Sequence, residues 1–152
     1  MEPGLTSSRA AFVFPVFGFT ADAEMYGFDD LDELSTCGKQ TLINGKQHGM
    51  ELIDAAGNRW RVQAMRRTGG VGLKLGLTCF LAGVSRIEHD LERLAPVTLD
   101  EVKALVGRAV TTYPLDVTLG GETVEDRLFQ VEAASSIAEL QAMLGLDHFR
   151  AY

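Results

Sequence analysis

The densest run of hydrogen-bonding and cationic groups in this 152-residue chain is Arg66-Arg67-Thr68-Gly69-Gly70-Val71-Gly72-Leu73-Lys74. Successive glycine N–H groups can cradle a phosphate or carboxylate while neighbouring cations neutralise it. Arg66, Arg67, Gly70 and Lys74 are therefore candidate anion-binding residues. Neither phosphate-loop pattern is present, since no Gly-x-Gly-x-x-Gly leads into a helix and no Gly-Lys-Ser/Thr occurs. The residues that follow alternate as a strand, and the competing reading is a bulged, glycine-rich hairpin connection.

A second concentration is acidic. Asp22, Glu24, Asp29, Asp30, Asp32 and Glu33 are interleaved with Met25, Tyr26 and Phe28. Carboxylates can steer a basic partner while an aromatic anchors it, so Tyr26, Asp29, Asp30, Asp32 and Glu33 are the candidate partner-binding residues. The alternative is a solvated helix start whose aromatics tuck under a sheet and whose acids suit the positive end of the helix dipole.

Other chemistries find little support. His48, His89 and His148 show neither the His-x-x-x-His nor the Cys/His spacing of a zinc site. His89, in register with Ile87 and Leu91, reads as a core or rim histidine. Ser85, Ser135 and Ser136 lack a nucleophile elbow. Cys37 is expected in mid-helix and Cys79 in a strand, away from the helix N-termini that depress a thiol pKa. The sequence suggests no catalytic residue, cofactor or metal site. An enzyme whose site assembles only in space remains an open alternative.

The elements that must position these residues follow from periodicity. Arg59, Arg61 and Gln63 alternate with Trp60, Val62 and Ala64, the period of two of a strand with one apolar face. Asp54-Ala-Ala-Gly57-Asn58 supplies a turn before it, with Gly57 suited to a positive φ. Leu73 to Cys79 and Arg86 to Glu92 alternate likewise, so residues 49–94 read as a four-strand antiparallel meander with one wet face. Upstream, residues 9–45 read as a Phe-rich strand from Arg9 to Phe19, a loop from Thr20 to Gly27, and a helix from Asp29 or Asp30 to Asn44-Gly45. Pro15 points to an edge or bulge, and this edge could pair with a second copy in a homodimer.

Downstream, residues 98–145 read as helices. Thr98-Leu-Asp-Glu101 is a capping box with Val97 and Val102 as its staple, and Tyr113-Pro114 closes that helix. A third helix spans Thr123 to Ala134, and Ser136-Ile-Ala-Glu139 opens a last one ending at Gly145. The expected fold is a single α+β domain over residues 1–152, an antiparallel meander of four to five strands with helices on one face.

Charge is unevenly distributed. Residues 1–58 hold nine acids and three bases (net −6), residues 59–93 three acids and seven bases (net +4), and residues 94–152 nine acids and four bases (net −5), for a total of −7. A dominant basic footprint is missing, which argues against nucleic acid as partner. An acidic balance favours basic partners. No run approaches the ~20 apolar residues of a membrane span. The apolar run Ala10 to Phe19, broken by Pro15 and Gly18, reads as a strand and not as a leader. Two widely spaced cysteines fit a reducing, cytoplasmic setting.

Phe28-Asp-Asp-Leu-Asp-Glu-Leu-Ser-Thr-Cys37, Asn44-Gly45, and Gly49-Met-Glu-Leu-Ile-Asp-Ala-Ala-Gly-Asn-Arg-Trp-Arg-Val62 together resemble the small acidic immunity proteins of bacterial polymorphic toxin systems. Those proteins often pair an early helix with a strand, Asp-x-x-Gly turn, strand hairpin. The resemblance covers about the first two thirds of the chain and rests on caps, a turn glycine and core alternation. It implies a non-catalytic protein that binds and neutralises a cognate toxin, expected to be basic. The locally basic sheet fits poorly with a purely acidic nuclease mimic and leaves the toxin's chemistry open.

Overall fold

The computed structural model describes residues 5–38, 45, 47–68, 84–113 and 123–146. Its elements in chain order are β1 (Leu5–Thr6), β2 (Val16–Phe19), β3 (Met25–Phe28), α1 (Leu31–Leu34), β4 (Thr36–Gly38), β5 (Glu51–Ile53), β6 (Arg59–Arg67), β7 (Val84–Leu94), α2 (Leu99–Thr112), α3 (Val124–Ala133) and α4 (Ile137–Leu144). The strands form one antiparallel sheet in the order β1-β7-β6-β5-β2-β3, with β4 also on β7. This is the α+β class expected from the sequence.

The sheet is curled. A flat array would separate β3 from β4 by five strand spacings, about 24 Å. The chain from Phe28 to Thr36, with one helical turn inside it, reaches no more than about 22 Å. Residues from opposite ends of the strand order accordingly share one cluster: Phe28 of β3, Cys37 of β4 and Ile87 of β7 pack with Leu34, Met50, Leu52, Trp60 and Val62. Phe12 closes this interior, its ring 4.5 Å from that of Trp60. The convex face carries the helices, whose Val102, Val106, Val110, Val131 and Leu140 meet Phe17, Phe19 and Ile53.

Both faces of β2 are therefore covered, and all its residues are buried. The expected wet face runs along Arg59, Arg61 and Gln63 of β6 and along Glu88, Asp90 and Glu92 of β7. An apolar run without alternation is the signature of a strand covered on both sides, which Val16-Phe-Gly-Phe19 is.

Local chemistry fixed several boundaries as expected. Thr98, Thr123 and Ser136 each accept a hydrogen bond from the backbone N–H three residues on, and α3 forms the full reciprocal box with Asp126. Gly145 ends α4 in the left-handed conformation at φ 58°. Gly57 has φ 85°, and a Cβ there would lie 2.5 Å from the carbonyl oxygen of Val97. Its own carbonyl accepts the Val97 N–H at 2.9 Å, joining the β5–β6 turn to the start of the helical layer.

Other expectations need correction. The long helix from Asp29 to Asn44 stops after one turn: Ser35 caps α1, and Ile87 N–H donates to the Ser35 carbonyl at 2.7 Å. Thr36 and Cys37 then extend as β4, because joining β7 buries Cys37 and supplies a ladder that helix continuation would forfeit. Residues 39–44 lie outside the described residues. The loop expected over Thr20 to Gly27 contains the start of β3, paired with β2 from Val16↔Phe28 to Phe19↔Met25.

The Phe-rich strand is shorter than Arg9 to Phe19, with Pro15 just before its first residue. It is no edge: β3 and β5 flank β2 on its two sides. The homodimer route through that edge is closed. In the meander, β6 pairs directly with β7; the expected strand Leu73 to Cys79 lies outside the described residues.

Candidate functional site

The acidic segment follows directly from β3. Phe28 is pulled into the curl, and the chain emerges so that Asp29, Asp30, Leu31 and Asp32 are all exposed. Asp30 is the N-cap of α1, its Oδ1 accepting from Glu33 N–H at 2.8 Å. Glu33 Oε2 accepts in turn from Asp29 N–H at 3.2 Å. Asp32 Oδ1 lies 3.0 Å from Arg86 NH2 of β7, so this end of the segment is fixed to the sheet. Between the carboxylates stands Leu31, 39% exposed although apolar.

Tyr26 does not belong to this surface. It is 9% exposed within the interior cluster, and its hydroxyl donates to Glu24 Oε2 at 2.6 Å. Its position in β3 points it inward, opposite Gly18 of β2. The apolar residue the structure does present among the acids is Leu31. With α1 only one turn long, no second turn exists to bury it.

Of the candidate anion-binding residues, Arg66 and Arg67 do not converge. Arg66 and Arg67 are consecutive in β6, where neighbouring side chains point to opposite faces. The Arg66 guanidinium is hydrogen-bonded to Asp90 Oδ1. Arg67 is exposed and carries no ion pair among the described residues. Gly70 and Lys74 lie outside the described residues. A register shift between Val62 and Ala64 also reverses the phase of β6, so that Met65 faces inward opposite His89.

The basic character of residues 59–93 is largely spent within the sheet. Arg59 and Arg61 lie 3.5 and 3.4 Å from Glu51 Oε1, and Arg61 lies 3.9 Å from Glu92 Oε2. Arg93 sits 5.0 Å from the centre of the Trp60 ring and donates to Asn58 Oδ1 at 2.9 Å.

A nucleophile, a base and an orienting amide do come together in space. Ser7 Oγ is 3.1 Å from His89 Nδ1, and His89 Nε2 is hydrogen-bonded to Gln47 Oε1. The amide oxygen can only accept, so Nε2 carries the proton of the neutral ring. Ser7 is 1% exposed, beyond the reach of a substrate. Its Oγ also accepts the His89 backbone N–H at 3.0 Å and is 3.0 Å from Glu88 Oε1.

Burial holds the His89 pKa down to about 4, against opposing pulls from Glu88 and Asp90. For Glu88, burial alone would raise the pKa. Hydrogen bonds from Ser8 and Ser7, with the nearby Arg66 charge, outweigh it and lower the carboxyl. This group is a clip that fastens β1 to β7. Nothing in the sequence pairs Ser7 with a residue 82 positions later.

The remaining reactive groups are subdued. Burial pushes the Cys37 thiol up to about 11, which leaves it protonated and unreactive at neutral pH. Among the described residues, no group of three or more His, Cys, Asp or Glu side chains is placed to hold a metal ion. Also among them, no helix is long and apolar enough to cross a membrane.

A carboxylate does the main structural work at the β5–β6 turn. Asp54 is fully buried; its Oδ1 accepts from Ala56 and Asn58 N–H at 3.0 and 2.9 Å, and its Oδ2 from Val13 N–H and Asn58 Nδ2 at 3.0 and 3.1 Å. The turn was legible from the sequence; the bond to Val13 was not. No family model, curated protein or solved structure matches this chain.

Proposed function

We propose that this chain is a non-enzymatic cytoplasmic binding protein, an immunity protein that neutralises a cognate basic toxin through the segment 29–33. The observation that carries the reading is Leu31 exposed between Asp29, Asp30 and Asp32 at the turn after β3. An apolar side chain ringed by carboxylates suits a partner whose own apolar contact is bordered by lysine or arginine. The resemblance of residues 28–62 to small acidic immunity proteins supports the same reading. Asp29 and Leu31 are the contacts best placed to reach a partner. Asp30, Glu33 and Asp32 hold the segment in shape, through the cap and through Arg86.

The test is capture from the source organism with the intact protein as bait, alongside an Asp29→Lys/Leu31→Ser variant. The expected result is one stoichiometric basic protein, retained at low salt, released by high salt and lost with the variant. The variant should melt within a few degrees of the parent, because both side chains are exposed. Capture that is equal for parent and variant would remove this segment as the contact. A captured partner without toxic activity in cells lacking this protein would overturn the immunity reading.

A further inference from the structure

We propose that the cleft between the β2–β3 loop and α2 binds a small organic monocarboxylate. The guanidinium groups of Arg61 and Arg108 hold the carboxylate, and Phe19 and Leu105 receive its apolar body. The cleft has a volume of about 280 Å³ and is lined by these four residues with Thr20, Glu51 and their neighbours. That size is near the lower end of small-molecule sites, which run from ~300 to 1,000 Å³, and it selects a compact ligand.

The two arginines differ in availability. Arg108 is exposed on α2 and has no ion pair among the described residues. Arg61 is held by Glu51 and Glu92 at 3.4 and 3.9 Å. Those distances exceed the ~2.7–2.9 Å of a tight charged hydrogen bond, so Arg61 can turn to a better-placed carboxylate at little cost. Two guanidinium groups and one carboxylate, Glu51, line the cleft, for a net charge of 2 − 1 = +1. One negative charge is matched; a second would face Glu51. This disfavours phosphate dianion and favours a carboxylate.

The wall is already formed. Thr20 and Glu24 exchange hydrogen bonds across the loop, Thr20 N–H to the Glu24 carbonyl at 3.0 Å and Glu24 N–H to Thr20 Oγ1 at 3.1 Å. Tyr113, at the end of α2, donates its hydroxyl to the Asp22 carbonyl at 2.8 Å and ties that loop to the helix. A ligand entering such a cleft does not have to order it, which removes a main cost of binding.

The test is a titration of the isotope-labelled full chain with sodium benzoate, benzamide or sodium phosphate, followed by amide NMR. Benzoate should move the signals of Thr20, Ala21, Gly49, Leu105 and Arg108, with benzamide and phosphate having far weaker effects. Arg108→Gln should raise the benzoate dissociation constant about tenfold, the size expected for one lost charged hydrogen bond. Arg61→Gln should act in the same direction, and unchanged signals elsewhere would show that both variants fold. Absence of localised shifts, or an affinity in both variants equal to that of the parent, would overturn the proposal. Benzamide or phosphate binding as tightly as benzoate would overturn the ligand class. None of these outcomes bears on the acidic segment, which lies on the other side of β3 in sequence and shares no residue with the cleft.

Discussion

The two interiors of this molecule are built by different means. The helix-side core is assembled from apolar stripes of α2, α3 and α4 laid over Phe17, Phe19 and Ile53. The interior of the curl draws on segments from β1 to β7 and accommodates His89, Gln47 and Ser7 among its apolar side chains. The first depends on local signals, namely caps and helical periodicity. The second depends on pairings between distant residues, and its buried polar groups must be satisfied by one another. Gln47 Nε2 and Trp60 Nε1 of this interior are among the buried donors that find no acceptor among the described residues. The curl interior is thus more sensitive to a single change.

The strongest challenge to this contrast is Trp60→Ala. Trp60 is among the largest fully buried side chains and contacts Phe12 as well as the strands. Its loss should cost about 3–5 kcal/mol, measured by urea unfolding. A smaller cost than that of Leu140→Ala, its buried counterpart on the helix side, would reverse the ranking.

Acid should separate the interiors more selectively. The folded-state pKa of His89, about 4, lies below its ordinary value of 6.5. Neutral His89 therefore favours the native state above pH 6.5, and this contribution is lost as pH falls from 6.5 through about 4. The loss amounts to roughly 3 kcal/mol. Urea midpoints at pH 7 and pH 4 should differ less in His89→Gln than in the parent. Glu88, with its lowered pKa, adds a loss in the same direction at still lower pH. An unaltered pH response in the variant would assign the acid sensitivity elsewhere.

On the helix side, Thr123→Ala removes the cap of α3 and should cost about 1 kcal/mol, seen as faster hydrogen exchange in Val124 to Leu128 with β6 and β7 unaffected. The smallest effect is expected on the wet face. A double-mutant cycle of Glu51→Gln and Arg61→Gln should return a coupling below about 1 kcal/mol, weakened further by salt.

The same contrast explains what could be read from the sequence. Thr98, Thr123, Ser136 and Gly145 mark helix boundaries because a cap is decided within four residues. The Asp54 to Asn58 turn is equally local. The β6 alternation was visible up to its bulge, where the phase reverses. What escaped depended on partners far along the chain. Thr36 and Cys37 leave the helical pattern because β7 offers them an edge, and Met25 to Phe28 becomes a strand because Val16 to Phe19 lies beside it.

The candidate sites fared similarly. The acids at 29, 30 and 32 are exposed, as both readings of the segment expected, whereas Tyr26 turns inward and Leu31 outward. A one-turn α1 is what decides their exchange. Arg66 and Arg67 were expected to flank an anion-cradling glycine run side by side; strand geometry points them to opposite faces. The Arg61–Arg108 cleft had no sequence signal, because its two arginines come from a strand and a helix 47 positions apart.

The clip between Ser7 and His89 also carries a temporal consequence. Leu5 and Thr6 are made well before their ladder partners Leu91 and Asp90, which emerge from the ribosome 86 and 84 residues later. At ~5–20 residues per second, the first strand waits roughly 4–17 s before its place in the sheet exists. This strand, made long before its partner, is therefore among the last to dock, and a nascent chain halted before Val84 would lack the edge on which β1 pairs.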